Sequence, residues 1–215
     1  MTTQLRLLDH PTRDDLRVFL ERLQRVGQPE VRLVAHGDRL AVFGCTQAPQ
    51  GITDAVPVVL AVRGFSLAAE PEEQVDVTVQ GRALLDRLAR MGLLGLELEL
   101  PENQVSVAWA GVLPPSSGWE HAGVFDAESL TDVAEQGIAR VAEALPADPG
   151  EAVVRKVRAQ VWGSDMAPGV PAAAAFAAET LGFLRGESVV RASSTLTWLR
   201  LSSGRGEVVV RRLLG

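Results

Sequence analysis

An internal repeat with an offset of 65 residues constrains the fold of this chain more than any other feature of its sequence. Residues 20–27 (LERLQRVG) align with residues 85–92 (LDRLARMG), with five identities in eight positions. The apolar pattern of residues 31–35 then falls on that of residues 96–100. Because a sequence repeat is the signature of a repeated structural unit, we predict that both copies fold alike.

The first copy has the pattern of an amphipathic helix followed by a β-hairpin. Thr12 is the predicted N-cap and Gly27 the predicted left-handed residue that ends the helix, which places the helix at about residues 13–26. Residues 31–43 alternate apolar and polar side chains around a glycine-containing turn, as hairpins do. The helix is predicted to bury a stripe of apolar residues spaced three and four apart: Leu16, Phe19, Leu20, Leu23 and Val26.

The second copy repeats this pattern. Residues 96–100 alternate leucine with glutamate, so Glu97 and Glu99 are predicted to face solvent. A turn at residues 101–103 and a second strand at residues 105–107 are predicted to complete a hairpin. The apolar stripe of the helix consists of Leu84, Leu85, Leu88 and Met91.

These patterns predict two duplicated β-α-β-β-β lobes with mostly antiparallel sheets. The first lobe comprises residues 1–65 and the second residues 66–125. The lobes could pair their sheets edge to edge or pack face to face, and the sequence leaves both arrangements open. The flanking strands are predicted at residues 5–8 and 58–63 in the first copy and at residues 75–79 and 122–125 in the second.

Residues 126–215 have a different pattern, so we predict a tandem domain over residues 1–125 and a C-terminal segment packed on it as one compact unit. The fold class is α+β, with the C-terminal strands forming an antiparallel hairpin or meander. A degenerate third repeat in this segment stays open. The predicted elements are a helix from Asp126 or Ser129 to Leu145, a helix over residues 150–162, an alanine-rich helix over residues 171–184, and strands at residues 188–192, 195–201 and 207–212.

Composition and charge exclude several classes of protein. Cys45 is the only cysteine, which excludes an internal disulfide and a cysteine zinc site. The chain begins without a signal-like segment, and its longest apolar runs are far shorter than the roughly 20 residues of a membrane span. We therefore expect a cytoplasmic protein with no membrane partner. Arginine supplies all but one of the 21 basic residues, which is typical of a GC-rich bacterial genome.

The charges are unevenly distributed along the chain. The net charge of −6 argues against nucleic acid as a partner, because phosphate would be repelled over most of the surface. Residues 66–150 carry 15 acids and 4 arginines, whereas residues 151–215 carry 9 bases and 5 acids. Opposite potentials attract, so this asymmetry favours self-association into a homodimer or another homo-oligomer.

Candidate functional residues are few. No spacing of histidine, cysteine or carboxylate residues indicates a metal site, and no glycine-rich loop or nucleophile motif indicates a cofactor or a catalytic centre. Rigid prolines precede an aromatic ring, a carboxylate and an imidazole in the loop that follows the second copy, a combination that can bind a ligand or partner. The candidate ligand-binding or partner-binding residues are His36, Cys45, Trp119, Glu120 and His121. The loops after the two copies would either flank one crevice between the lobes or lie on opposite edges. Only the first arrangement makes a pocket for a small molecule, with His36 and His121 near its rim.

Three functions are compatible with these observations. The first is a non-catalytic interaction or ligand-binding protein that self-associates. The second is a small-molecule enzyme with a site between the lobes, in which His36, Cys45, Glu120 and His121 would supply acid, base or nucleophile. The third is a DNA-binding protein with a winged-helix-like C-terminal segment, whose basic residues would contact phosphate.

Overall fold

The structure, a computed structural model, describes residues 3–49, 51, 54 and 56–211. The chain forms two compact units, of which the first comprises Met1–Thr46 with Val62–Leu113 and the second Gln47–Ala61 with Pro114–Gly215. None of the helices within the described ranges combines the length and the apolar character that crossing a bilayer requires.

The first unit contains two copies of a strand-helix-strand element. Its strands lie in the order β5-β2-β3-β4, and a separate antiparallel pair joins β1 to β6. Strand β4 begins in the second unit and ends in the first. The elements are β1 (Gln4–Arg6), α1 (His10–Val26), β2 (Glu30–His36), β3 (Arg39–Gln47), β4 (Val58–Ser66), β5 (Asp76–Gln80), α2 (Gly81–Arg90), β6 (Glu97–Glu99) and a 3₁₀ helix (Ala108–Gly111).

Helix α1 starts three residues before its predicted beginning. Asp9, not Thr12, is the N-cap, and its Oδ1 accepts a hydrogen bond from the Thr12 amide at 2.8 Å. Pro11 occupies the first turn, where its missing N–H costs nothing. Four of the five residues of the predicted apolar stripe are buried, namely Leu16, Phe19, Leu20 and Leu23, whereas Val26 is partly exposed.

Gly27 follows α1 as predicted, but the predicted left-handed conformation is wrong, because its φ is −112°. A Cβ atom on Gly27 would lie 2.6 Å from the carbonyl oxygen of Cys45. The glycine is therefore required by the close approach of β3. In the second copy the aligned Gly92 does have a left-handed φ of +68°.

The second copy departs from the first after its helix. Glu97 and Glu99 are exposed on either side of buried Leu98, as predicted. The predicted hairpin between residues 96–100 and 105–107 is wrong. Strand β6 pairs with β1 and not with residues 105–107. The Val105 amide donates a hydrogen bond to the carbonyl oxygen of Thr78, on β5, at 2.9 Å.

The second unit places helices against an antiparallel meander. Its strands lie in the order β12-β11-β10-β7, so the strand predicted at residues 122–125 pairs with β10. The C-terminal meander and the α+β fold class with antiparallel sheets are confirmed. The elements are β7 (Glu120–Asp126), α3 (Ala127–Ala144), α4 (Glu151–Trp162), β8 (Asp165–Ala167), β9 (Val170–Pro171), α5 (Ala172–Thr180), β10 (Val189–Ser194), β11 (Trp198–Ser202) and β12 (Glu207–Arg211).

Small residues set the packing of α3. Asp126 caps the helix, as predicted, by accepting a hydrogen bond from the Ser129 amide at 2.9 Å. Apolar spacing predicts a buried face of Leu130, Val133, Ile138, Val141 and Leu145. Leu130 is buried as predicted, but Ile138 is exposed, and the buried face also runs through Ala134 and Gly137. Gly137 leaves room for the buried ring of Trp162, which lies at the end of α4.

Helix α5 is the buried helix of the second unit. Six of its alanines are buried, which confirms that the alanine-rich sequence allows neighbours to approach closely. A buried helix cannot enter a DNA groove, so the winged-helix reading of the C-terminal segment is wrong. Trp198 is buried on β11.

Candidate interaction surfaces

The predicted site residues fall into two groups. His36 is exposed at the end of β2, and Cys45 is fully buried in β3. Trp119 is half-buried in the loop before β7, and the first two residues of β7, Glu120 and His121, are exposed. The first two residues belong to one compact unit and the last three to the other, and their convergence on a crevice stays a prediction.

Trp119 fastens its loop to the sheet of the second unit. Its indole Nε1 donates a hydrogen bond to the Pro115 carbonyl at 2.9 Å. The guanidinium carbon of Arg200, on β11, lies 4.2 Å from the ring centroid. This cation–π contact occupies one side of the aromatic ring. The loop is therefore held on the sheet by Trp119.

Strand β7 is the edge strand of the second unit, because it lies last in the strand order and pairs with β10. Val124, at its centre, is 61% exposed, and Val189 on β10 is 53% exposed. The register pairs Val124 with Arg191 and Val189 with Asp126, so the two valines are diagonal neighbours. They form a small apolar patch beside an open edge.

The chain exposes charge in separate places. Helix α4 presents three cations, Arg155, Lys156 and Arg158, which are all exposed. Helix α3 presents a largely acidic surface, in which Arg140 is the exposed base among four exposed acids. These exposed acids are Glu128, Asp132, Glu135 and Glu143.

Helices α1 and α2 carry more arginines than carboxylates, seven against four. Arg17 lies 2.8 Å from Glu21, and Arg82 lies 3.2 Å from Asp86. Exposed pairs of this kind add little stability, and they leave the two helices with an excess of positive charge. A cavity of about 430 Å³ between the helices is lined by Arg17, Glu21, Gln24, Arg25, Arg82, Leu85, Asp86 and Ala89.

Ionisable groups do not gather at a reactive centre within the described ranges. No cluster of three histidine, cysteine or carboxylate side chains there could hold a metal ion. Hydrogen bonds from the side chain and the amide of Thr12 lower the pKa of Asp9, which is explained by helix capping. A second cavity of about 440 Å³ has an acidic lining of Thr3, Gln4, Arg6, Ala69, Glu70, Pro71, Glu72 and Glu73.

One exposed apolar element was not among the predicted site residues. Leu93 and Leu94 follow α2 and are 87% and 84% exposed. Glycines flank them on both sides, and a Gly-Leu-Leu-Gly segment directly after a predicted helix is the sequence signal that could have revealed it.

Comparison with known families covers nearly the whole chain. Residues 1–111 match the family described as a domain of unknown function, DUF8010, and residues 114–215 match a second domain of unknown function, DUF8185. No curated protein matches the chain.

Solved structures of bacterial sliding clamps share this fold at low sequence identity. The beta sliding clamp of C. crescentus has a TM-score of 0.54 and 14% identity, covering 100% of this chain and 66% of the clamp chain. The DNA polymerase sliding clamp of Bacillus subtilis has a TM-score of 0.54 and 11% identity, with the same two coverages. The Pseudomonas aeruginosa clamp, DNA polymerase III subunit beta bound to griselimycin, has a TM-score of 0.53 and 15% identity, again covering 100% and 66%. The chain thus spans just under two thirds of the clamp chains.

Proposed function

The chain belongs to the DUF8010 family, and from its open edge strand we propose that it is a non-catalytic interaction protein that self-associates through β7. The observation that carries the proposal is the exposure of this edge, where Val124 is 61% exposed. The solved structures that share the fold are named sliding clamps, which is a name for binding and not for a reaction.

The physics of sheet edges supports β7 as the contact. An edge strand presents unpaired N–H and C=O groups to any strand of another chain. Natural proteins block such edges with charged side chains, proline, β-bulges or very short strands. Strand β7 has seven residues without lysine or proline, its acids lie at its two ends, and its register against β10 shifts once, between Ala192 and Ser193. A second copy that pairs along β7 would satisfy these groups and place a cross-strand neighbour beside Val124.

An enzymatic function has less support from the structure. The thiol of Cys45 is buried inside β3, where a substrate cannot reach it without opening the sheet. Glu120 and His121 are exposed neighbours on β7, so their side chains point to opposite faces of the strand. A site with acid, base and nucleophile in one cavity is therefore not proposed.

Binding of duplex DNA is also not part of the proposal. The net charge of −6 and the exposed acids of α3 would repel phosphate, whereas exposed arginines such as Arg25 and Arg90 on α1 and α2 would attract it. Three cations on α4 are too few for the multiple phosphate contacts of a typical DNA-binding surface.

Sedimentation velocity over a range of concentrations, at low and high ionic strength, tests the proposal. The wild-type chain is expected to associate, and Val124→Lys is expected to weaken association by about tenfold or more, because a lysine on the edge opposes strand pairing. Val153→Lys is the matched control, since Val153 is 44% exposed on α4, away from the edge. Circular dichroism checks that both variants are folded.

A wild-type chain that stays monomeric under all these conditions would overturn the proposal. So would a Val124→Lys variant that associates as strongly as the Val153→Lys control. Anisotropy of a labelled short DNA duplex provides the remaining measurement. Salt-sensitive binding of that duplex at protein concentrations where the chain is monomeric would favour a DNA-binding function instead.

A further inference from the structure

The sheet of the second unit has one face that is partly open to solvent. On β10, Val190 and Ala192 are buried, whereas Arg191 is exposed and Ser193 is half-buried. Successive side chains of a strand point to opposite faces, so Arg191 and Ser193 lie together on the open side. We call the side that carries these two residues the outer face of the sheet.

The strands next to β10 bring a histidine and a second arginine beside Ser193. Ser193 pairs with Arg200 on β11 and with His121 on β7. Paired residues of an antiparallel sheet point to the same face, with Cβ atoms about 4.5–5.5 Å apart. His121, Arg191 and Arg200 therefore surround Ser193 on the outer face. We call these four residues the outer-face cluster.

A β-bulge in β7 turns His121 toward this cluster. The register pairs Ala192 with Gly123 and Ser193 with His121, so Ala122 is an extra residue in β7. Without it His121 would point to the opposite face of the sheet, because side chains alternate along a strand. Gly123 next to it has a φ of +132°, which disfavours residues with a side chain. Bulges of this kind often re-aim a side chain beside a functional site.

Arg200 is a partly shielded cation whose hydrogen-bonding capacity is not used up. Its side chain is 26% exposed, and its Nε is buried without a hydrogen-bond acceptor among the described residues. Oε1 of Glu207 lies 3.8 Å from Nη1, which is longer than a hydrogen bond. Because a cation shielded from water is screened less, Arg200 attracts an anion more strongly than a fully hydrated arginine does.

Trp119 holds this guanidinium group in position. Its ring centroid lies 4.2 Å from Cζ of Arg200, and its own Nε1 donates to the Pro115 carbonyl at 2.9 Å. A cation–π contact orients a guanidinium group but does not accept the hydrogen bonds of its N–H groups. Arg200 is therefore preorganised for an acceptor, and a preorganised group loses little conformational entropy on binding.

The carboxylates near the cluster leave it with an excess of positive charge. Asp126 is engaged as the N-cap of α3, and Glu120 points to the opposite face from its neighbour His121. Glu207 is shared between Arg200 and a serine hydroxyl. Arg191 is exposed and forms no ion pair with any residue that the structure describes. Two arginines and a histidine thus face one shared carboxylate.

We propose that the outer-face cluster binds the phosphate group of a small phosphate monoester. Four side chains from three strands supply N–H and O–H donors around Ser193, and a phosphate monoester offers three charged acceptor oxygens where a carboxylate offers two. Guanidinium groups also match the spacing of phosphate oxygens. Strand pairing along β7 takes place in the plane of the sheet and leaves its outer face open, so this site is independent of self-association.

The surroundings of the cluster limit the ligand to a small molecule. Val124 and Val189 are exposed on the outer face to one side of Arg191, and the Glu207 carboxylate lies on β12 to the other side. A nucleic acid strand or an anionic bilayer would place further phosphates over these side chains, which offer no hydrogen-bond donors. A ligand with a single phosphate group avoids them.

Titration of the full-length chain with glycerol 3-phosphate tests the proposal. Heteronuclear NMR at constant ionic strength follows the indole N–H of Trp119 and the amides of residues 119–124 and 190–194. We expect saturable shifts in these signals, with a dissociation constant of about 1 mM or lower. Inorganic phosphate should produce shifts in the same signals, whereas the same ionic strength of potassium chloride should not.

Variants matched in charge separate the cluster from positive charge in general. Arg191→Gln and Arg200→Gln are each expected to weaken glycerol 3-phosphate binding by about tenfold or more, because each removes a charge-assisted hydrogen bond. His121→Gln is expected to weaken it by about threefold or more. Arg155→Gln removes one exposed charge from α4 of the same unit and should change binding by less than about twofold. Circular dichroism checks that each variant is folded.

Deletion of Ala122 tests the purpose of the bulge. It removes the extra residue, so His121 returns to the opposite face and binding should weaken by the same factor as in His121→Gln. Adding His121→Gln to the deletion should weaken binding no further, because the histidine no longer contacts the ligand. If the deletion variant does not fold, His121→Gln decides whether the histidine contributes.

Several results would overturn the proposal. They are the absence of saturable shifts, equal shifts with potassium chloride, and unchanged binding in Arg191→Gln or Arg200→Gln. A loss in Arg155→Gln as large as that in Arg191→Gln would reduce the effect to general charge. Binding of a phosphoserine peptide or of single-stranded DNA to the cluster more than about tenfold more tightly than glycerol 3-phosphate would assign the site to a macromolecule and overturn its assignment to a small molecule.

Discussion

Replacement of Gly137 by alanine is the most direct test of the packing in the second unit. A Cβ atom at this position would lie 2.2 Å from Cζ3 and 2.4 Å from Cη2 of Trp162. The indole ring is 4% exposed, and its centroid lies 4.4 Å from that of the Phe176 ring. The ring therefore has little room to move away.

Two opposing effects decide the sign of this change. Alanine in place of glycine inside a helix stabilises it by about 1 kcal/mol. Overpacking a tight core costs about 1–3 kcal/mol, and a contact as short as 2.2 Å between carbon atoms places Gly137→Ala at the upper end. We therefore expect a net loss of about 2 kcal/mol in the free energy of unfolding.

A double-mutant cycle isolates the contact. Trp162→Ala is expected to cost about 3–5 kcal/mol on its own, because it leaves a cavity. In that background Gly137→Ala has no ring to meet and should stabilise by about 1 kcal/mol, which gives a coupling energy of about 3 kcal/mol. Ala139→Gly, at an exposed position of α3, should cost about 1 kcal/mol through helix propensity alone.

Guanidinium unfolding followed by circular dichroism measures these free energies. Equal m-values across the four proteins of the cycle would show that the same surface unfolds in each. If Gly137→Ala stabilised the protein in the presence of Trp162, or if the coupling energy were close to zero, the packing of Trp162 on Gly137 would be refuted.

Three further substitutions test local features. Gly27→Ala should destabilise by about 1–3 kcal/mol in chemical denaturation although its φ is accessible to alanine, because the added Cβ would lie 2.6 Å from a carbonyl oxygen of β3. Asp9→Ala should lower the melting temperature at neutral pH. The hydrogen bonds from Thr12 lower the pKa of Asp9, so the stabilisation by this cap is present above about pH 4 and is lost as the pH falls through the folded-state pKa. The melting temperatures of the wild type and of Asp9→Ala should therefore converge in acid. Asp9→Asn should keep the cap at every pH, because its side-chain oxygen does not titrate. Trp119→Ala should cost about 1 kcal/mol by losing the contact with Arg200 and should increase proteolysis of the loop before β7.

Sequence patterns locate the helices because helix stripes depend on local spacing. The stripe from Leu16 to Leu23 is buried as predicted. The beginning of α1 was placed late because Thr12 and Asp9 are both good caps, and only the structure shows which side-chain oxygen accepts the amide. Such choices between neighbouring caps depend on hydrogen-bond geometry, which spacing does not contain.

Errors in the predicted core arise where packing overrides hydrophobicity. Ile138 belongs to an apolar stripe by spacing, yet it is exposed while Ala134 and Gly137 are buried. The reason is that Trp162 needs a flat surface on α3, and small residues provide it. A hydrophobic pattern ranks isoleucine above glycine, so it includes Ile138 in the buried face and omits Gly137, although it places Leu130 correctly.

The candidate interaction surfaces were harder to predict than the fold. Whether a strand lies at an edge depends on its pairing partners, and β7 pairs with β10, which lies more than 60 residues later in the chain. Sequence periodicity identified the strand but contained no information about that pairing. Exposure of Leu93 and Leu94 likewise depends on the Arg13 hydrogen bonds to the carbonyl oxygens of Gly92 and Leu93, which join residues 79 and 80 positions apart.

The repeat shows that sequence identity between two copies does not imply the same physical role. Gly27 and Gly92 align, but the first permits close approach of β3 while the second adopts a left-handed φ of +68°. Selection on a duplicated unit can therefore preserve a residue for two reasons while the residues beside it diverge. Gln28 and Leu93 follow these two glycines, and the difference between them lies at the surface, where the fold does not restrict it. Divergence at such exposed, aligned positions is where a function particular to one copy should be sought.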